Sequence, residues 1–295
     1  MVKQLFDDRS SMFNNRSTTV QLNQPINHTT IQQNKIMIKF KALLLLILLG
    51  VFISWDMPQP GKMYYQLTVY HYEKKSQEEL LNDYLANALL PALHRLKIKH
   101  VGVFSAIAND TAKLKSLYVL IPFKNWESIE KLESKLSADK IYQQAGSSFL
   151  NSHYQSPPYS RMERILLRDF PNAPPMRLPR LKNEKNERVY ELRSYESATE
   201  KIFQNKMHMF IEGGETEIFN RLNFNPVFYG EVLAGSKMPN LMYMTSFENM
   251  DDRHAHWKSF GNDPAWKKLS GMPIYQNNVS HIDVMFLRPT AYSDY

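Results

Sequence analysis

Three polar side chains alternate in the run Val189-Tyr-Glu-Leu-Arg-Ser-Tyr195: Glu191, Arg193 and Tyr195. A β-strand points successive side chains to opposite sides, so this spacing puts an acid, a guanidinium and a phenol on one face. There the carboxylate could carry a proton and the guanidinium could anchor an anion. An earlier run offers Tyr64, Gln66, Thr68 and Tyr70 in the same alternation, and a late one offers His281 and Asp283. If these faces converge, they line a pocket for a small ligand. The competing reading is a satisfied polar seam, because buried charge normally occurs in pairs.

Other residues that could do chemistry carry less. His254 and His256 are two apart, about 200° around a helix, and do not converge on a metal. His208, between Met207 and Met209, could serve a haem or move a proton, but its setting suits a packed histidine equally well. Gly213-Gly214 lacks the surrounding pattern of a phosphate loop, and neither Gly-x-Ser-x-Gly nor His-Glu-x-x-His occurs. The chain has no cysteine, which removes thiol nucleophiles, thiolate metal sites and disulfides. No metal site is read, and the cofactor stays unknown.

The elements that must position these residues repeat. Tyr65-Gln-Leu-Thr-Val-Tyr70 matches Tyr190-Glu-Leu-Arg-Ser-Tyr195 at an offset of 125, and Phe123 of Ile121-Pro-Phe-Lys-Asn-Trp126 matches Phe247 at 124. Each copy reads as strand, helix, strand, strand, helix, strand, the ferredoxin-like order. In the second copy Gly213-Gly214 should kink or split the first helix, and Asp263-Pro264 should break the second and cap its restart. A ferredoxin-like unit covers one face of its sheet with helices and leaves the other bare. Two copies in one chain therefore predict an α+β fold of two tandem units whose sheets shield each other, a pseudo-dimeric α+β barrel. On this reading Tyr65, Leu67, Val69, Tyr190 and Leu192 pack on the helices. Tyr64, Gln66, Tyr70, Glu191, Arg193 and Tyr195 then point between the sheets, with His281 and Asp283 sharing one face of the last strand.

The second copy also carries a recognisable pattern: Arg188-Val-Tyr-Glu-Leu-Arg-Ser-Tyr195, Pro226-Val-Phe-Tyr-Gly-Glu231, and above all Arg253-His-Ala-His-Trp-Lys-Ser-Phe-Gly-Asn-Asp-Pro-Ala-Trp266. With Arg253, Trp257, Asp263, Pro264 and Trp266 in one helical stretch, residues 188–289 resemble the NIPSNAP family. Residues 63–170 look like a diverged copy that keeps Tyr65, Leu67, Phe123, Trp126 and Asp139 but lacks Asp-Pro-x-Trp. The resemblance implies a dimeric α+β barrel related to small monooxygenase and haem-handling barrels. It fixes no chemistry.

Residues 171–187, with four prolines and scattered charge, read as an exposed linker. Ala42–Ile53 is an uninterrupted apolar run with Lys35, Lys39 and Lys41 before it and Asp56 after it. That layout predicts a signal peptide over 37–55, or an uncleaved anchor touching the membrane through 42–53, and an exported body on the periplasmic or extracellular side. Residues 1–36 are polar and aperiodic and read as disordered, or as an extension ahead of a start at Met37. Six basic and two acidic residues before Trp55 hold +4 of the formal charge of +7. The folded body is thus near neutral, without the basic stripe that nucleic acid needs. The leading functional expectation is non-enzymatic binding of a small molecule or a protein partner, with further oligomerisation left open. The alternative is a small cavity enzyme of oxygenase or isomerase type using Glu191, Arg193 and His281, with haem as a secondary candidate.

Overall fold

The computed structural model describes residues 62–171, 176 and 178–295. The segment read as disordered and the apolar run lie outside the described residues. Among the described residues, no helix is long and apolar enough to cross a membrane.

Strands form where aromatic and β-branched residues concentrate. In the first half these are β1 (Tyr64–Tyr72), β2 (Gly102–Ala106), β3 (Lys115–Phe123) and β4 (Arg161–Asp169). In the second half they are β5 (Val189–Glu196), β6 (Phe228–Ala234), β7 (Asn240–Phe247) and β8 (His281–Pro289). The spatial order is β4-β1-β3-β2 in one half and β8-β5-β7-β6 in the other, so both place their fourth, first, third and second strands side by side. β2 pairs with β8 and β4 with β6, both antiparallel, and the eight strands close into one barrel. Closure leaves no sheet edge unpaired. The α+β pseudo-dimeric barrel expected from the repeat is the fold of this chain.

Helices lie outside the barrel. In the first half α1 (Lys75–Tyr84) runs through a π-helical turn (Leu85–Leu89) into α2 (Leu90–Arg95). The turn falls just before Pro91, which brings no N–H to the i→i−4 ladder. Short helices α3 (Trp126–Glu130), α4 (Leu132–Ala138), α5 (Lys140–Ala145) and α6 (Ser147–Leu150) follow β3. In the second half α7 (Glu200–Phe210) and α8 (Glu215–Arg221) are separated at Gly213-Gly214, with Gly214 at φ 86°. There a residue with a Cβ would be strained. α9 (Met250–Asn262) and α10 (Pro264–Ser270) follow β7. Asn249 caps α9 and Asp263 caps α10, as the Asp-Pro pair predicts.

Three buried apolar clusters result. One joins the first half's helices to the outer face of its sheet, one does the same in the second half, and the third fills the barrel. The faces are the reverse of the alternation reading. Tyr65, Leu67, Val69, Tyr190 and Leu192 point into the barrel, and Tyr70 and Tyr195 lie in the helix layers. Alternation could not separate the two faces because both are buried: β7 is buried at every position and β1 at seven of nine. In the segment read as an exposed linker, the described residues are exposed or half-buried. Met176 and Leu181 pack against the barrel cluster, and the Glu248 carboxylate accepts the backbone N–H groups of Lys182 and Asn183. Leu178 stays exposed, and Phe104, Tyr190 and Tyr295 form an aromatic plug in the barrel.

Candidate functional site

Two polar arrangements compete for attention. The first lies outside the barrel, where α9 crosses the outer face of β5. Glu191 is fully buried there and accepts four hydrogen bonds: Arg193 Nη1 to Oε1 at 2.7 Å, Arg253 Nη2 to Oε1 and Nε to Oε2 at 2.9 Å each, and Trp257 Nε1 to Oε2 at 2.7 Å. Arg193 Nε donates to the Tyr195 hydroxyl at 2.9 Å, which lies 3.0 Å from that of Tyr243. The Arg193 guanidinium sits 4.4 Å from the Trp257 ring centre, close enough for cation–π attraction. Burial alone would raise the Glu191 pKa, but the Arg253 hydrogen bonds and the Arg193 charge outweigh it and hold the carboxyl below its usual range. A carboxylate has about four acceptor sites, and here all are filled by protein. Glu191 has no free lone pair for a substrate proton, so this network clamps a helix to a sheet.

The other family-motif residues also hold the second half together. Asp263 accepts from Ala265 and Trp266 backbone N–H groups and from Arg221 at 3.0 Å, Pro264 opens α10, and Trp266 packs on Phe260 at 4.4 Å between ring centres. In the first half Tyr64 meets Trp126 edge-on, Gln66 donates to Thr68 at 3.3 Å, and Tyr70 contacts Phe149 and Tyr159. None of Tyr64, Gln66, Tyr70, Glu191, Arg193 or Tyr195 points between the sheets. That placement, expected from sequence, is corrected by the register. The polar face can lie under helices because α9 brings its own partners, Arg253 and Trp257.

The second arrangement is the open end of the barrel, opposite the aromatic plug. A cavity of about 320 Å³ lies there. Its walls are apolar: Leu67, Val69, Tyr118, Ile165, Val232, Met242 and Met285. Its polar lining is His71, Glu163, Ser194, Ser236, Lys237, Asn240 and Asp283. Strand pairing places Asn240 and His281 beside Glu196, and Met242 and Asp283 beside Ser194, all at this end. His281 Nε2 lies 3.1 Å from Asp283, and the Lys237 ammonium donates to the same carboxylate. Partial burial would raise the Asp283 pKa, and Lys237 and His281 reverse that to a net lowering. The pair His281 and Asp283 thus stands at the cavity mouth, and Asp283 lines it.

Glu196, His281 and Asp283 bring their donor atoms within 4.8 Å of one another. Lys237 already holds Asp283, so an ion would have to displace the ammonium. The cavity is small for a planar cofactor of haem size. Its volume is at the lower end for small-ligand pockets, and its lining histidine, His71, lies with Nδ1 2.9 Å from Ser116 Oγ. His208 is elsewhere, with Nδ1 2.8 Å from the Tyr275 hydroxyl.

The stretch that holds the Glu191 clamp matches a family model: residues 190–294 match NIPSNAP. Over these residues the chain is similar to the NIPSNAP family. No curated protein sequence matches the chain. Solved structures do. A candidate monooxygenase from Lactobacillus acidophilus is 12% identical, with 77% of this chain and 94% of that one covered and a TM-score of 0.46. One from Fusobacterium nucleatum is 7% identical over 77% and 92%, with a TM-score of 0.49. A NIPSNAP family protein from Agrobacterium tumefaciens is 18% identical over 40% of this chain and 98% of its own, with a TM-score of 0.33. Within the matched stretch the sequence reading found the clamp residues and missed Ser194, Lys237, Asn240, Met242 and Met285. Ser194 shares the alternation of Tyr190 and Leu192 on β5, Met285 shares that of His281 and Asp283 on β8, Asn240 and Met242 lie on β7, and Lys237 lies in the turn before it. On β5 that alternation was read as the face under the helices; β7 was given no facing.

Proposed function

We propose that the barrel is a binding protein for a small, largely apolar molecule taken up at its open end. The observation that carries this reading is the cavity of about 320 Å³, open on one side, with apolar walls and a few polar groups at its mouth and inner lining. That composition is typical of sites that bury a small ligand and orient it through a few polar contacts. The cavity-enzyme alternative loses its acid and its anchor, because Glu191 and Arg193 are used up in the clamp beneath α9. We place the binding activity on the exported side of a membrane. The support for that placement is the basic-then-apolar layout of residues 35–53 in the sequence.

The test is titration with the neutral fluorophore N-phenyl-1-naphthylamine, whose emission rises on leaving water. Saturable binding is expected, and Met242→Trp, which fills the cavity from β7, should weaken it at least about tenfold. Circular dichroism checks that the variant keeps its fold. No saturable binding, or equal binding by a folded Met242→Trp, removes the reading.

A further inference from the structure

The first half has no equivalent of the Glu191 clamp. At the strand offset of 125, Glu191, Arg193 and Tyr195 correspond to Gln66, Thr68 and Tyr70, and at the helix offset of 124, Arg253 and Trp257 correspond to Ile129 and Glu133. Three large side chains, Arg193, Arg253 and Trp257, thus give way to shorter ones. Gln66, Thr68, Tyr70, Ile129 and Glu133 all line a cavity of about 90 Å³ between the outer face of β1 and the helices that follow β3. It shares no lining residue with the barrel cavity. Liquid water takes about 30 Å³ per molecule, so this space suits a solute of only a few non-hydrogen atoms.

The lining carries two opposite charges: Arg164, which β4 sets beside Thr68, and Glu133 on α4. Among the described residues neither forms an ion pair, with the other or with a third group. Burial pushes the pKa of the Tyr70 hydroxyl up; Arg164 works against that shift and Glu133 with it, so both charges lie near this group. Gln66, only 6% exposed, adds an amide. With Nε2 given to Thr68 at 3.3 Å, its carbonyl accepts from none of the described residues.

We propose that this cavity is a second ligand site and that it takes a small zwitterion, an amino acid of glycine's size, with its carboxylate on Arg164 and its ammonium on Glu133. The Tyr70 hydroxyl and the Gln66 amide stand between the two ends and hydrogen-bond to them. An anion alone would gain from Arg164 and be repelled by Glu133, and a cation alone would meet the reverse. A molecule with both charges meets each with its opposite. A guanidinium also presents a fork of donors that matches a carboxylate. The Gln66 amide suits either orientation: its carbonyl accepts from an ammonium, and turned over, its NH2 donates to a carboxylate. The site stands apart from the barrel cavity and does not depend on the binding reading above.

Titration of the full chain with glycine, acetate and methylammonium at matched ionic strength tests this, read from the backbone amide chemical shifts of Thr68 and Glu133 by NMR. Glycine should give saturable shifts, and acetate and methylammonium, each with one of the charges, should bind at least about tenfold more weakly. Arg164→Gln and Glu133→Gln should each weaken glycine about tenfold, while Glu133→Gln leaves acetate unchanged or tighter. Both residues are exposed, so the variants keep the packing beneath them. No saturable shift at these amides up to about 50 mM glycine overturns the site. Acetate or methylammonium binding as tightly as glycine overturns the zwitterion assignment, and glycine binding undiminished in both variants overturns the assignment to this pair. Glycine should leave N-phenyl-1-naphthylamine in place; its displacement would put glycine in the barrel instead and overturn the second site.

Discussion

Glu191 shows how a residue can look reactive in sequence and be inert in structure. Its two arginines are themselves largely buried, with side-chain exposures of 13% and 16%. Removing the carboxylate would strand both charges, and breaking a buried ion pair typically costs about 3–5 kcal/mol. Glu191→Ala should therefore lower the unfolding free energy by about that much, with Glu191→Gln in between; urea denaturation measures both. A loss below about 1 kcal/mol for Glu191→Ala would show that the clamp is weak. Asp169 makes a pH argument. Burial pushes its carboxyl from 3.8 up to about 7, against a hydrogen bond from Tyr65 that lowers it. Below pH 3.8 the group is neutral whether the chain is folded or not. Between 3.8 and about 7 the folded protein keeps a proton that the unfolded chain gives up, so stability falls as pH rises. Above about 7 the loss is complete. Asp169→Asn should flatten that slope, gaining on the wild type more at pH 7.5 than at pH 4.5 when urea midpoints are compared. Equal gains at both would sink the assignment.

At the scale of elements, the signals that end and begin helices were easier to read than those that face a strand. Gly213-Gly214 splits α7 from α8, and Asp263-Pro264 splits α9 from α10, because a missing N–H, a positive φ and a capping carboxylate act on the local backbone whatever surrounds it. The faces of β1, β5 and β7 depend on what covers them, and here both sides are covered. Gln66 and Glu191 are buried, as Leu67 and Leu192 are. The hydrophobic alternation therefore carried the periodicity and not the direction, and the candidate site inherited the error. The one pair read on the correct side, His281 and Asp283, lies at a strand end where the barrel opens to water. The capping claim can be measured. Asp263 holds two backbone N–H groups and Arg221, so Asp263→Ala should cost about 1–2 kcal/mol. Asp263→Asn, which keeps the cap and loses the charge, should recover most of it. A thermal melt that ranks the two variants equally would point to the ion pair with Arg221 instead of the cap.

At the scale of the molecule, the same sheet order occurs twice, and the second strand of each half pairs with the fourth strand of the other. Each half by itself would expose two strand edges and an inner face whose residues Tyr190, Leu192, Met244 and Leu287 are fully buried in the intact barrel. Both exposures drive association, one through unpaired backbone groups and the other through the hydrophobic effect. The pseudo-symmetry supplies the partner, because β6 occupies in its half the place that β2 has in the other, and β8 the place of β4. A fragment spanning 185–295 should therefore dimerise, with β6 of one copy antiparallel to β8 of the next, closing a barrel of eight strands from two identical halves. Sedimentation equilibrium should give twice the fragment mass, and amides of β6 and β8 should be as protected from hydrogen exchange as those of β5 and β7. A folded monomer, or a dimer with β6 and β8 unprotected, would mean that closure depends on features of residues 63–170 that the repeat does not share.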